Sequence, residues 1–150
     1  MKKSERLQVI IDLHQRQEKD ALEALGRVQQ ALQAQQDQLQ HLYDYRIEYG
    51  NKLLERQKLG MNVNQLLEFR AFADKLDKAI DGQRQSVAAQ ERELQKVRKH
   101  WEECHQRTKS LRRVSELAVI EEVKLENKRE QAEQDARAGR AGRKDGTSPA

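Results

Sequence analysis

Apolar residues recur at alternating steps of four and three along most of this chain, in two runs that mirror each other about Met61. The first run is Leu7, Ile11, His14, Glu18, Ala21, Leu25, Val28, Leu32, Gln35, Leu39, Leu42, Arg46, Tyr49 and Leu53, with about ten of its fourteen positions apolar. Four-three alternation keeps one face of a helix in line, and about seven heptads of it specify a coiled coil. At ~1.5 Å per residue, Leu7 to Leu53 spans roughly 70 Å. The run is polar at His14, Glu18, Gln35 and Arg46, breaks that lower stability but fix register. Gly26 and Gly50 each cost about 1 kcal/mol against alanine.

The second run is Phe69, Ala73, Leu76, Ile80, Gln83, Val87, Gln90, Leu94, Val97, Trp101, Cys104, Thr108, Leu111, Ser115, Ala118, Glu122 and Leu125. When the chain is folded so that facing residue numbers total 122, every seam position of one run meets a seam position of the other. Leu53 then faces Phe69, Leu42 faces Ile80, Val28 faces Leu94, Leu25 faces Val97 and Ile11 faces Leu111. Small meets large where Ala21 faces Trp101 and Tyr49 faces Ala73, as close helix packing requires. A slip of one residue destroys this agreement.

The spacing therefore predicts an all-α fold, a long antiparallel coiled-coil hairpin over residues 1–136. Helix one covers about 5–58, the turn about 59–63 and helix two about 64–136, with a basic disordered tail over 137–150. Ser4 is the expected N-cap of helix one. Gly60 suits a left-handed C-cap, and Asn62 with Gln65, or Asn64 alone, suits the next N-cap. Helix two outlasts its partner: Leu7 faces about Ser115, so Glu116 to about Ala136 overhangs, apart from what pairs with Met1 to Arg6. The overhang keeps Leu117, Val119, Ile120, Val123 and Leu125, and an apolar helix face of this kind implies a partner elsewhere.

Composition agrees with a thin structure. Hydrophobic and charged residues are 36% each and aromatics 4%, too little for a thick core. The net charge of +4 comes from interleaved acids and bases, the pattern of solvated helix faces, with a clear basic excess only from Arg137. The one cysteine, Cys104, fits a reducing compartment. No apolar stretch has transmembrane length, and the basic N-terminus lacks a signal-peptide core, so the chain reads as cytoplasmic.

The motifs exclude an enzyme: there is no phosphate loop, no nucleophile elbow, and no cleft for paired carboxylates between two helices. His100 and Cys104 have helical metal spacing, but two ligands are too few and Trp101 and Cys104 belong to the seam. No cofactor, metal or small-molecule substrate is expected. The surface carries one sharper feature. Gln38, Leu42, Tyr45 and Tyr49 are spaced four, three, four, as are Phe72, Leu76, Ala79 and Gln83. In the hairpin these rows lie side by side near the turn. Leu42, Tyr49 and Leu76 also belong to the seam, whereas Tyr45, Phe72 and Ala79 lie one position off it. By spacing, the rows read equally as a docking patch or as packing on the flank of the seam.

Three stretches carry a resemblance. Leu42-Tyr43-Asp44-Tyr45-Arg46-Ile47-Glu48-Tyr49 is similar to the L-x-D-Y-x-x-E-Y stretch of the FliJ family of flagellar type III export proteins. Phe69-Arg70-Ala71-Phe72 followed by Leu76-Asp77-Lys78-Ala79-Ile80 resembles that family's F-x-x-x-L-x-K-A-I stretch, and Lys99-His100-Trp101-Glu102 its later tryptophan segment. The resemblance covers nearly the whole chain. It implies a non-enzymatic protein of flagellum biogenesis and motility, similar to the central stalk of rotary ATPases. Its implied partners are the hexameric export ATPase, the export-gate membrane protein and export chaperones, which place it peripherally at the inner membrane. Carried over position by position, the gate-docking face is Gln38, Leu42, Tyr45, Tyr49, Phe72, Leu76, Ala79 and Gln83; at the last of these the enteric pattern has histidine. The rival readings are a plain structural spacer, the equivalent stalk of a virulence secretion system, and a nucleic-acid-binding arm. The last rests on Lys96, Arg98, Lys99, Arg107, Lys109, Arg112 and Arg113, a run that Glu102 and Glu103 interrupt. The tyrosine stretch favours the flagellar reading, and no nucleic acid is expected as partner.

Overall fold

In the computed structural model, residues 1–146 are described, with side-chain surroundings for 1–143. They form two helices, α1 (Lys3–Leu59) and α2 (Val63–Gly146), of 57 and 84 residues. No strand occurs among the described residues. The architecture is the expected two-helix hairpin, with α1 starting slightly earlier and the turn tighter than anticipated.

The turn is built from local chemistry. Gly60 takes a φ of 94°, which an L side chain resists, and its N–H donates to the Gln57 carbonyl at 3.3 Å, closing α1. Asn62 and Gln65 then form a reciprocal cap. The Gln65 N–H donates to Asn62 Oδ1 at 2.8 Å, and the Asn62 N–H donates to Gln65 Oε1 at 3.3 Å.

The chain divides into two compact units. The turn-proximal unit, Glu18–Glu103, is the closed end of the hairpin, with Ala21, Leu25, Leu76, Ile80, Val87 and Leu94 buried. Ala21 is buried and Trp101 half-buried. Two polar breaks in the seam have partners. The Gln83 side-chain amide donates to the Gln35 carbonyl at 2.9 Å and to Gln35 Oε1 at 2.7 Å. Arg46 Nε donates to Asp77 Oδ1 at 2.9 Å. Both contacts fall within about one helical turn of the expected register. These groups keep their hydrogen bonds on leaving water, so the breaks specify register without leaving a buried amide bare.

The other unit joins the first 17 residues to α2 from Cys104 onward. Its core is Ile11, Cys104, Thr108 and Ala118. Thr108 is 1% exposed, and its hydroxyl donates to the Cys104 carbonyl at 3.0 Å, the local bond by which a helical threonine satisfies itself. Ser4 is not an N-cap, since α1 already begins at Lys3. Instead Glu122 reaches across from α2. The Ser4 N–H donates to its Oε1 at 3.0 Å and the Ser4 hydroxyl to its Oε2 at 2.6 Å. The carboxylate thus serves an orphan donor of the first turn and meets the positive end of α1. These two hydrogen bonds, the shorter from the hydroxyl, hold the Glu122 carboxyl below its usual pKa.

Two boundaries differ from expectation. Pairing continues through Glu122, so the overhang begins at Val123, and every side chain from there to Arg143 is exposed. Helix α2 also runs on to Gly146 rather than ending near Ala136. Gly139 and Gly142 weaken a helix without breaking it, and no proline intervenes before Pro149. Positions 147–150 of the expected tail lie outside the described residues.

Candidate functional site

The sharpest surface feature is a cluster of four aromatic rings in the turn-proximal unit. Tyr45 and Tyr49 stand one turn apart on α1, and Phe69 and Phe72 occupy adjacent turns of α2. Tyr49 lies at the centre, its ring 4.7 Å from Phe72 and 5.0 Å from Phe69 between centroids. Tyr45 closes the cluster, edge-on to Phe72 at 6.2 Å and tilted against Tyr49 at 6.5 Å. These separations are those of favourable ring pairs. The cluster bridges both helices, so it locks the two rows of candidate docking residues to each other.

Burial sorts the eight candidates. Gln38, Tyr45, Phe72 and Ala79 are exposed, Tyr45 by 44% and Phe72 by 37%. Leu42, Tyr49 and Gln83 are half-buried. Leu76 is only 7% exposed and belongs to the core. The face is thus two exposed rings and two smaller exposed residues on a half-buried shelf, while Leu76 supports it from beneath. Gln83 likewise points its amide inward at Gln35.

The sequence reading missed one component. The Arg56 guanidinium lies over the Phe69 ring, 5.7 Å from its centroid, a cation–π contact at the edge of the cluster. Arg56 stands three residues past Leu53, the next step of the seam's own rhythm, and that spacing was the available signal. Arg46 and Asp77 add an exposed ion pair close by, so the aromatic face has a charged rim.

The other unit exposes apolar surface of a different kind. On α1, Val9, Ile10 and Leu13 are exposed, and with Asp12 and Arg16 they line a shallow groove. On α2, Leu117, Val119, Ile120, Val123 and Leu125 are exposed around nearly the whole circumference of the helix. Among the described residues, no group of three or more His, Cys, Asp or Glu side chains is placed to hold a metal, and no helix is long and apolar enough to cross a membrane.

Residues 2–147 match the family described as "Flagellar FliJ protein". The chain is 28% identical over 135 residues to the flagellar FliJ protein of Escherichia coli K12, covering 90% of this chain and 92% of that one. It is 27% identical to the flagellar FliJ protein of Salmonella typhi, with the same coverage of both chains. No solved structure matches the chain.

Proposed function

The chain belongs to the family of flagellar FliJ proteins, and from that premise we propose that it works as a stalk-like coupling element of the flagellar type III export apparatus. The observation that carries this reading is the exposed pair Tyr45 and Phe72, held in edge contact from two different helices. Rings fixed in place before binding lose little entropy on contact, and aromatic anchors are the residues that dominate docking energies. The turn-proximal face then docks on the cytoplasmic domain of the export-gate membrane protein through Gln38, Leu42, Tyr45, Tyr49, Phe72 and Ala79. Leu76 and Gln83 hold the shelf from within. The unit containing both termini engages the hexameric export ATPase and favours its assembly. An α2 segment with exposed apolar residues on several sides, interleaved with charges, suits enclosure by several subunits rather than one flat partner. Export chaperones are a further class of partner on this reading.

The test is capture of the gate protein's cytoplasmic domain by wild type and by Tyr45→Ala/Phe72→Ala, with circular dichroism on both. Binding lost at unchanged helix content supports the docking face. Undiminished binding returns both rings to packing on the seam flank. Removing residues 123–150 leaves every paired residue in place, so it should spare gate binding and weaken ATPase stimulation. Equal loss of both activities counts against this division of labour.

A further inference from the structure

We propose that the overhanging part of α2 pairs antiparallel with the same segment of a second copy of this chain, through a stripe of charge that is its own complement. Beyond Glu122 every side chain to Arg143 is exposed. One position off the continuation of the seam, Glu126, Glu130, Glu133, Arg137, Arg140 and Lys144 repeat at alternating steps of four and three. Positions so spaced lie along one line of a helix. The line reads three acids and then three bases.

This order is unfavourable for the helix by itself. Along the line, Glu126–Glu130, Glu130–Glu133, Arg137–Arg140 and Arg140–Lys144 are like-charge neighbours, and only Glu133–Arg137 is an opposite pair. Among the described residues, Glu126, Glu130, Glu133, Arg137 and Arg140 make no ion pair or side-chain hydrogen bond.

A second copy laid antiparallel resolves every repulsion together. When facing numbers total 270, Glu126 meets Lys144, Glu130 meets Arg140 and Glu133 meets Arg137, each twice by symmetry. Parallel pairing instead sets acid on acid and base on base. An anionic surface or polyanion is a poorer occupant, because this line presents as many acids as bases. The remaining bases Lys124, Lys128, Arg129 and Arg143 lie off the line, as does Asp135. Exposed ion pairs contribute little each and are screened by salt, so the association is weak and dissociates at high ionic strength.

The experiment uses the full chain, with mass measured by light scattering across a concentration series. At about 20 mM salt the wild type should rise from monomer toward dimer, and at about 1 M salt it should return to monomer. Glu126→Lys/Glu130→Lys/Glu133→Lys and Arg137→Glu/Arg140→Glu/Lys144→Glu should each be monomeric alone. An equimolar mixture should form the dimer again, with circular dichroism showing both variants helical. Four results overturn the proposal: a wild type monomeric at low salt, a mixture that stays monomeric, association that persists in either variant alone, or binding of the wild type to anionic phospholipid vesicles without self-association.

Discussion

Replacing Leu76 by alanine separates support from contact within the docking face. Leu76 is 7% exposed, so the substitution removes buried carbons rather than a surface group. Leucine-to-alanine changes in enclosed cores cost about 2–5 kcal/mol. A seam between two helices is open on both flanks and closes over a void more readily, which places this site at about 2–3 kcal/mol. For a chain of this size, each kcal/mol lowers the melting temperature by roughly 2–4 °C, so the expected fall is about 4–12 °C. Tyr45→Ala is the comparison. Its ring is 44% exposed and makes two edge or tilted contacts beyond 6 Å, which together with partial burial contribute about 1–2 kcal/mol. Thermal and urea melts followed by circular dichroism give the stabilities, and titration with the gate domain gives the affinities. Leu76→Ala should regain docking when cooled to where it is fully folded, whereas Tyr45→Ala should be folded and still dock poorly. If Leu76→Ala costs under about 1 kcal/mol yet abolishes docking at full helix content, Leu76 touches the partner directly and the argument from burial fails.

Other outcomes follow from single contacts. Gln83→Leu removes the donor that serves Gln35 and should cost about 1–2 kcal/mol, while Gln35→Leu/Gln83→Leu should recover most of it in urea melts, because no amide is then left bare. Gly60→Ala should destabilise by about 1–2 kcal/mol through backbone strain alone, since an added Cβ meets nothing within 4 Å at this positive φ. Asp77→Asn, which ends an exposed ion pair, should change stability by less than about 1 kcal/mol at moderate salt. Because folding lowers the Glu122 pKa, its contribution is complete above the ordinary glutamate value of about 4.3 and is lost as pH falls through the lowered value. Ser4→Ala removes the hydroxyl but leaves the backbone N–H of residue 4 as a donor, so it should raise the Glu122 pKa part of the way toward its ordinary value, seen by NMR titration, and shrink this acid limb of the stability curve.

The sequence by itself determined the hairpin, its turn and the face that each helix buries. All fourteen seam positions anticipated on α1 are buried or half-buried, as are all those on α2 except Leu125. Period and mirror symmetry suffice for this, because an apolar line down a helix has one azimuth and a slip of one residue turns it to solvent. The reading failed where partners were decided diagonally across the seam. It gave Ser4 to a local cap, although Glu122 from the other helix takes its donors. It also left Arg56 out of the aromatic face that its guanidinium borders. Long side chains lean along the helix and span a turn or more, so their partners depend on how two surfaces interlock, which only the tertiary structure decides.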